Sequence, residues 1–375
     1  MNWIVVTYLV FYALIVGGVV LGGFLLHLKK SEANGAQDKI SVDEITVLIP
    51  FRNERERLHV LLKSIQSLKQ FPARFIFIDD HSTDDSSAYI REQLGDLPYE
   101  ILTLSNEVTG KKKAIRAGIE QCTTDYVLTF DADVSFEANY FNAIQDLNQA
   151  DMYVLPAILV GQTPLELIYE LDVALANALN AGLSGVARPI FSSGANFLFK
   201  RSVFHEVDDL SSHAHMASGD DTYLLRDFRR NGKSIQLRTN LDVAVHTETP
   251  HSFKAFIDQR LRWVGKTTDI GDALATWAAI GQFLFAVLFF GLLVWFAAVE
   301  EWFHFSLLLV VKVLLDLLFF MPFFSRTKRV ASWCLIPVYE IVFPLYSLLI
   351  GVLMLTYRPK WKGRAIQQGG EASDS

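Results

Sequence analysis

The chain has 375 residues, 51% of them hydrophobic and 20% charged, with a mean hydropathy of +0.25. That mean is too high for an ordinary soluble enzyme and too low for a protein made only of membrane spans, so a soluble domain joined to a few spans is expected. Lys+Arg is 34 against Asp+Glu 41, a net charge of −7, which argues against nucleic acid as a main partner, and two distant cysteines, Cys122 and Cys334, exclude a disulfide scaffold or a cysteine-rich zinc site.

Trp3 to Leu26 carries no charge, and its length crosses a hydrocarbon core of ~30 Å. A cleaved signal peptide would need a basic start, a shorter apolar run and a small-residue cleavage site, none of which is present. Residues 1–28 therefore read as an anchor, and Lys29 and Lys30 put its C-terminal end in the cytoplasm. Residues 29–44 read as a linker, polar over Ser31–Asp38.

From residue 45 to 268 strands and helices alternate. Ile45–Ile49 is an apolar strand ending at Pro50, and Leu58, Leu61, Leu62, Ile65 and Leu68 recur at helical spacing. Phe75–Ile78 is a second strand that stops at Asp79-Asp80, Ile101–Leu104 a third, Lys111–Gln121 a helix, and Tyr126–Phe130 a strand running into Asp131-Ala132-Asp133. This order predicts an α/β fold with a mainly parallel sheet and helices on both faces, which binds ligands beyond the carboxyl ends of its strands.

Residues 269–357 hold three further apolar segments. Ala273–Val299 is uncharged, and Glu300-Glu301 forms an acidic turn. Trp302–Phe324 is interrupted only by Lys312 and Asp316, and Arg326, Lys328 and Arg329 follow it. Lys312 and Asp316, spaced i and i+4, share a helix face and can pair, with Glu340 as a further partner. The pair reads either as a device that fixes helix packing or as a polar site facing the acceptor. Val330–Tyr357 is the fourth run. If it crosses fully, the basic tail Arg358, Lys360, Lys362 and Arg364 lies outside, against the positive-inside rule. Pro337 and Pro344 allow a re-entrant or interfacial segment instead, which keeps the tail (residues 358–375) cytoplasmic. Gln367–Ser375 is small and polar, as a disordered end would be.

Three acidic groups stand out. Asp131 and Asp133 follow a buried strand, where i and i+2 project to one side. Two carboxylates held together repel unless a cation intervenes, and oxygen-only ligands suit Mg²⁺ or Mn²⁺ carrying substrate phosphates. A solvated turn has the same pattern. Asp79 and Asp80 precede any capping position and face a ligand in this reading, whereas Asp84 or Asp85 can cap the next helix. Gly219-Asp220-Asp221 opens another helical stretch, where carboxylates are ordinary. Gln259, Arg262 and Trp263 share a face of a helix before the second span, as a juxtamembrane anchor or as a phosphate- and sugar-binding set.

Together these segments resemble the inverting family-2 glycosyltransferases with a glycosyltransferase-A fold. They follow in family order: Val47-Leu48-Ile49-Pro50-Phe51-Arg52-Asn53-Glu54, Asp79-Asp80-His81-Ser82-Thr83-Asp84, Gly110-Lys111 with Ala114, Asp131-Ala132-Asp133, Ser193-Gly194-Ala195-Asn196, Gly219-Asp220-Asp221 and Gln259-Arg260-Leu261-Arg262-Trp263. The layout is similar to that of membrane members such as ceramide glucosyltransferase and hyaluronan synthase, with transmembrane helices at both ends, and Trp361-Lys362-Gly363-Arg364 looks like a tail motif of such members. The resemblance implies that Pro50, Arg52, Glu54, Asp79 and Asp80 hold the nucleoside, that Lys111 lies near the nucleotide, and that Asp131 and Asp133 hold the metal (Mg²⁺ or Mn²⁺) and the diphosphate. It further implies Asp221 as general base, and Gln259, Arg262 and Trp263 on the diphosphate and the acceptor. The family's Glu-Asp pair is Asp220-Asp221 here, which leaves Asp220 as a supporting group, and Arg116 stands where the family has an Asn.

The expected function is transfer from a nucleotide-sugar donor, a UDP-sugar, to a lipid or glycan acceptor at a membrane, with inversion. The protein would lie in a bacterial inner membrane with its catalytic domain cytoplasmic. A processive polysaccharide synthase is the alternative, though it would need more spans. A catalytically inactive nucleotide-binding membrane protein would be expected to have lost its acidic residues.

Overall fold

The computed structural model describes residues 3–32, 39–208, 220–357, 360–361 and 364–365. The polar linker over 33–38, Gly219, Arg358, Lys362, Gly363 and the C-terminal stretch from Gln367 lie outside the described residues. The chain opens on helix α1 (Trp3–Glu32). Next come β1 (Ile45–Phe51), α2 (Leu58–Gln66), β2 (Arg74–Asp79), α3 (Ser86–Leu94), β3 (Tyr99–Thr103), α4 (Lys111–Glu120) and β4 (Tyr126–Phe130). Then follow β5 (Val134–Ser135), α5 (Tyr140–Ile144), β6 (Met152–Val154), β7 (Ala157–Val160), the long α6 (Pro164–Val186), β8 (Asn196–Lys200), α7 (Arg201–Val207), α8 (Asp220–Arg230), β9 (Ile235–Leu237) and β10 (Val245–Glu248). The last long elements are α9 (Phe253–Asp269), α10 (Ala273–Ala298), α11 (Trp302–Thr327), α12 (Val330–Cys334) and α13 (Ile336–Thr356).

Two compact units share this chain. Of the described residues, one holds those within 32–158 and 191–248, the other those within 3–31, 159–190 and 249–365. The division differs from the segments read along the sequence: 159–190 and 249–268, taken there as part of one catalytic stretch, group with the apolar helices. Local patterning could not reveal this, because α6 and α9 carry ordinary amphipathic sequences.

The sheet unit is built on a seven-stranded sheet of order β3-β2-β1-β4-β8-β6-β9. The pairs β1–β2, β2–β3, β1–β4 and β6–β9 are parallel, and β8 runs antiparallel to β4 and β6. The sheet is mainly parallel, as expected. Strands covered on both faces need continuous apolar runs, and β4 is buried along its whole length. The buried side chains of α2 (Leu58, Leu61, Leu62 and Ile65) share the face that meets the core, where Val47, Ile49, Phe75, Phe77 and Leu128 lie. Because β1, β2 and β4 are parallel, Arg52, Asp79-Asp80 and Asp131 all emerge at one edge, beyond the carboxyl ends of the strands.

In the other unit, α1, α10, α11 and α13 are long and apolar enough to cross a membrane. Leu14, Leu284, Leu318 and Leu355 point outward from them, as lipid-facing residues do in an integral membrane protein. The fourth apolar run is not one helix: it breaks at Leu335, with α12 before it and α13 after it. Pro337 stands in the first turn of α13, where its missing N–H costs nothing, and Pro344 lies inside it. Helices α1 and α6 touch backbone to backbone. A Cβ on Gly22 would come within 2.0 Å of the Gly182 carbonyl oxygen, and one on Gly185 within 1.7 Å of that of Gly22. Only glycine permits such an approach, the same device that joins spans through small residues. Lys29 Nζ then donates to the Gly185 carbonyl at 2.8 Å.

Lys312, Asp316 and Glu340 are all buried. Lys312 Nζ pairs with Asp316 and, at 2.5 Å, with Glu340, while the Tyr12 hydroxyl donates to Asp316. The expected pair is thus a trio with a tyrosine from α1.

Candidate active site

The edge begins with two interlaced loops. After β1, Asn53 takes a left-handed backbone (φ 52°), a conformation that asparagine tolerates better than most residues. Its side-chain oxygen accepts from Thr83 N at 2.7 Å, and its own N–H donates to Ser82 Oγ at 3.1 Å. Glu54 N donates to Ser86 Oγ, and Arg55 N to Asp84 Oδ2, both at 3.0 Å. The Asp79-Asp80-His81-Ser82-Thr83-Asp84 segment and Ser86 after it therefore tie the loop after β2 to the loop after β1. The bonds from Ser86 and Arg55 hold the Asp84 carboxyl below the ordinary carboxylate range.

Asp79 and Asp80 diverge in role. Asp79, expected to face a ligand, spends its oxygens on the loop: Oδ1 accepts from Ser82 N at 2.8 Å and Oδ2 from Ser87 Oγ at 2.7 Å. Asp80 reaches across to the next loop, where its Oδ2 accepts from Gly110 N at 3.0 Å. Gly110 has φ 99°, a backbone that side-chain-bearing residues rarely adopt, and it starts α4. Burial raises the Asp80 carboxyl, and the Gly110 bond and the Arg52 guanidinium pull against that. Pro50, Arg52 and Glu54 are partly buried around these loops.

Asp131 directly follows β4, and Asp133 lies in the turn after it rather than in extended backbone. They are close enough that Asp131, after burial, is the next cause raising Asp133, which is pushed up to about 6. Each has a cation. Lys111 Nζ donates to Asp131 Oδ1 at 2.5 Å, and the Arg57 guanidinium pairs with Asp133 and stands 3.6 Å from Glu54. Arg57 was missed by sequence reading; its only signal is its i+3 spacing from Glu54.

Two hard oxygen ligands at a strand end fit Mg²⁺ or Mn²⁺ held jointly with donor phosphates. Among the described residues no group of three or more His, Cys, Asp or Glu side chains could hold a metal alone. The raised Asp133 sets a pH dependence. Below about 6 its carboxyl is neutral and a cation must displace a proton, so Mn²⁺ affinity should fall about tenfold between pH 7 and pH 5. Titration calorimetry at several pH values checks this, and a flat profile would remove Asp133 from the metal site.

Asp221 is held at the start of α8. Its Oδ2 accepts from Gly194 N at 2.8 Å, and its Oδ1 from Thr222 N at 2.8 Å and Thr222 Oγ1 at 3.1 Å. The Ser193-Gly194-Ala195-Asn196 segment is thereby brought to Asp221. Asn196 itself is core: it accepts from Tyr140 OH and donates to the carbonyls of Pro156 and Val243. Arg116, in place of the family's Asn, pairs with Asp208 at 2.5 Å.

Gln259, Arg262 and Trp263 lie on α9, in the unit with the apolar helices. Arg262 is partly buried, which lowers its guanidinium from the ordinary value against the opposing pull of Asp258. Trp263 is 37% exposed.

A sheet of this order, with carboxylates at the ends of β2 and β4, has the α/β fold of the A-type glycosyltransferases. Residues 46–208 match the family description Glycosyl transferase family 2. The match covers one domain, less than half of the chain. It is similar to the mannosyltransferase PcManGT from Pyrobaculum calidifontis, solved in complex with GDP-Man and Mn²⁺, with a TM-score of 0.51 at 15% identity over 93% of this chain and 99% of that one. In sequence it is 36% identical over 95 residues to the undecaprenyl-phosphate 4-deoxy-4-formamido-L-arabinose transferase of Pseudomonas syringae pv. syringae, over 24% of this chain and 28% of that protein. The enzyme of the same name from Pectobacterium carotovorum is 35% identical over 97 residues, 25% of this chain and 30% of its own. The chain thus spans less than a third of these relatives' length.

Proposed function

We propose that the protein moves a sugar from a nucleotide-sugar donor, a UDP-sugar, to a membrane lipid acceptor with inversion, from the cytoplasmic face of a bacterial inner membrane. The carrying observation is the Asp131–Asp133 pair, counter-charged by Lys111 and Arg57, in a chain with four membrane-length helices. Pro50, Arg52, Glu54 and Asp80 hold the nucleoside, with Asp79 shaping their loop. Asp131 and Asp133 hold a divalent cation together with the diphosphate; when bound, the cation supplies neutralisation of the leaving group's charge. Lys111 and Arg57 counter the charge of the two carboxylates beforehand and can turn to the diphosphate afterwards. Gln259, Arg262 and Trp263 take the diphosphate and the acceptor, Arg262 as a fork for phosphate oxygens. One in-line displacement needs no covalent nucleophile.

The test uses the full chain in lipid nanodiscs with a panel of UDP- and GDP-sugars. Nucleoside diphosphate release that requires both Mn²⁺ and undecaprenyl phosphate supports the reading, and release from no donor contradicts it. A product longer than one sugar would support a processive synthase instead.

Asp221 serves as general base toward a hydroxyl acceptor. Asp221→Asn should then keep donor affinity while turnover falls roughly 10²-fold or more. The acceptor in the relatives' printed names favours a second reading. A phosphate monoester, with a second pKa of about 6, arrives largely ionised and needs no base. Under that reading Asp221 orients the acceptor, and single-turnover rates of Asp221→Asn drop only several-fold. Equal loss of donor affinity and turnover would make Asp221 a donor-binding residue.

A further inference from the structure

The family-like segment on α9 reads from sequence as one face, Gln259, Arg262 and Trp263. The residue that organises it is the one between them. Arg260 is buried, and its Nη1 donates to Gln259 Oε1 at 3.1 Å. Its guanidinium lies 4.4 Å from the centre of the Trp263 ring and 4.6 Å from that of Phe256. One planar cation thus contacts two of the three proposed substrate-binding side chains from behind.

What fixes Arg260 is equally specific. Its Nε donates to Asp172 Oδ2 on α6 at 2.6 Å, and its Nη2 to the Tyr169 carbonyl at 3.3 Å. The other Asp172 oxygen, Oδ1, accepts from two hydroxyls on α13, Tyr339 at 2.5 Å and Tyr346. Seven residues apart, these tyrosines share a helix face, and both are buried. The order is therefore Tyr339 and Tyr346, Asp172, Arg260, then Gln259 and Trp263, running from a membrane-length helix to the proposed binding face within one compact unit.

We propose that Asp172, Tyr339 and Tyr346 are positioning residues for transfer: through Arg260 they set the orientation of Gln259 and Trp263, so that α13 governs the binding face. The proposal rests on the reading of Gln259 and Trp263 as substrate-binding. A purely structural anchor would need one ion pair, whereas here both oxygens of the carboxylate are committed and the guanidinium is aimed at the two side chains.

Removing Asp172 would leave Arg260 buried without its counter-charge and risk misfolding, so the test removes only hydroxyls. Tyr339→Phe with Tyr346→Phe is made in the full chain and in a Gln259→Ala/Trp263→Ala background. Each form is assayed in nanodiscs with undecaprenyl phosphate and the UDP- or GDP-sugar that the parent turns over fastest. Loss of two bonds to a charged acceptor is expected to lower kcat/KM about tenfold in the parent and to add less than about twofold in the Ala/Ala background. Thermal melting should change equally in both backgrounds. A loss of the same size in both backgrounds makes the node merely structural and overturns the proposal, as does no loss in either. If Gln259→Ala/Trp263→Ala alone transfers at the parental rate, the site reading itself fails, a result distinct from silence of the two Phe changes.

Discussion

On the proposed reading, Asp131→Asn and Asp133→Asn are each expected to reduce sugar transfer by at least about 10³-fold, because the several kcal/mol of leaving-group neutralisation that a bound metal would supply are lost. Metal-dependent binding of the nucleoside diphosphate should weaken in parallel. Stability should move the other way. Burial and Asp131 raise the Asp133 carboxyl to about 6 in the folded chain, above its unfolded value. Its contribution to stability is then present at low pH and lost as pH rises through about 6, so an ionised Asp133 is a cost near neutrality. Removing that charge should leave the melting temperature unchanged or higher while activity vanishes. Calorimetry of the binding, melting curves and a transfer assay on the same samples check all three. Full transfer by both variants would remove the metal assignment.

Lys312→Leu should be the most damaging single change among the spans. It strands Asp316 and Glu340, both buried, without their shared cation, and breaking such a pair costs about 3–5 kcal/mol. Replacing only Lys312 and Asp316 would leave Glu340 alone, so the informative variant replaces all three by Leu and should melt near or above the parent. With two carboxylates to one ammonium, and Tyr12 already donating to Asp316, the trio is closed on itself and has no surplus positive charge for an anionic headgroup. Transfer by the triple variant should therefore match the parent. Lys312→Leu melting like the parent in detergent would show that the ions do not hold the helices together.

The sheet was legible because its information is local. Ile45–Ile49 and Tyr126–Phe130 are apolar runs, the first stopping at Pro50 shortly before Arg52 and the second at Asp131, and a buried parallel strand needs that run. The charged ends fall where the topology gathers them. What escaped depends on contacts between distant parts of the chain. Asp172 and Arg260, and Glu170 and Arg329, whose guanidinium forks onto that carboxylate, meet only after α6 packs on later helices. Helical spacing sorted α9 into faces and so passed over Arg260, whose length lets it reach neighbours on both sides. The bonds of Asp79 to Ser82 and Ser87 left no trace in the sequence, because these look like any loop serines until the loop closes. Arg57 leaves only its i+3 spacing from Glu54.

The backbone contact of Gly22 with Gly182 and Gly185 joins an earlier helix to one made much later. The α1 helix emerges from the ribosome, and the chain up to α6 follows at roughly 5–20 residues per second, so α1 waits on the order of ten seconds for its partner. The sheet waits too, since β8, which lies between β4 and β6, is synthesised only after α6. Synthesis order is therefore part of how this protein assembles. A fragment cut at the apparent domain edges, residues 45–268, would carry α6 with its small-residue seam uncovered, and chaperones would meet it as an unfinished protein.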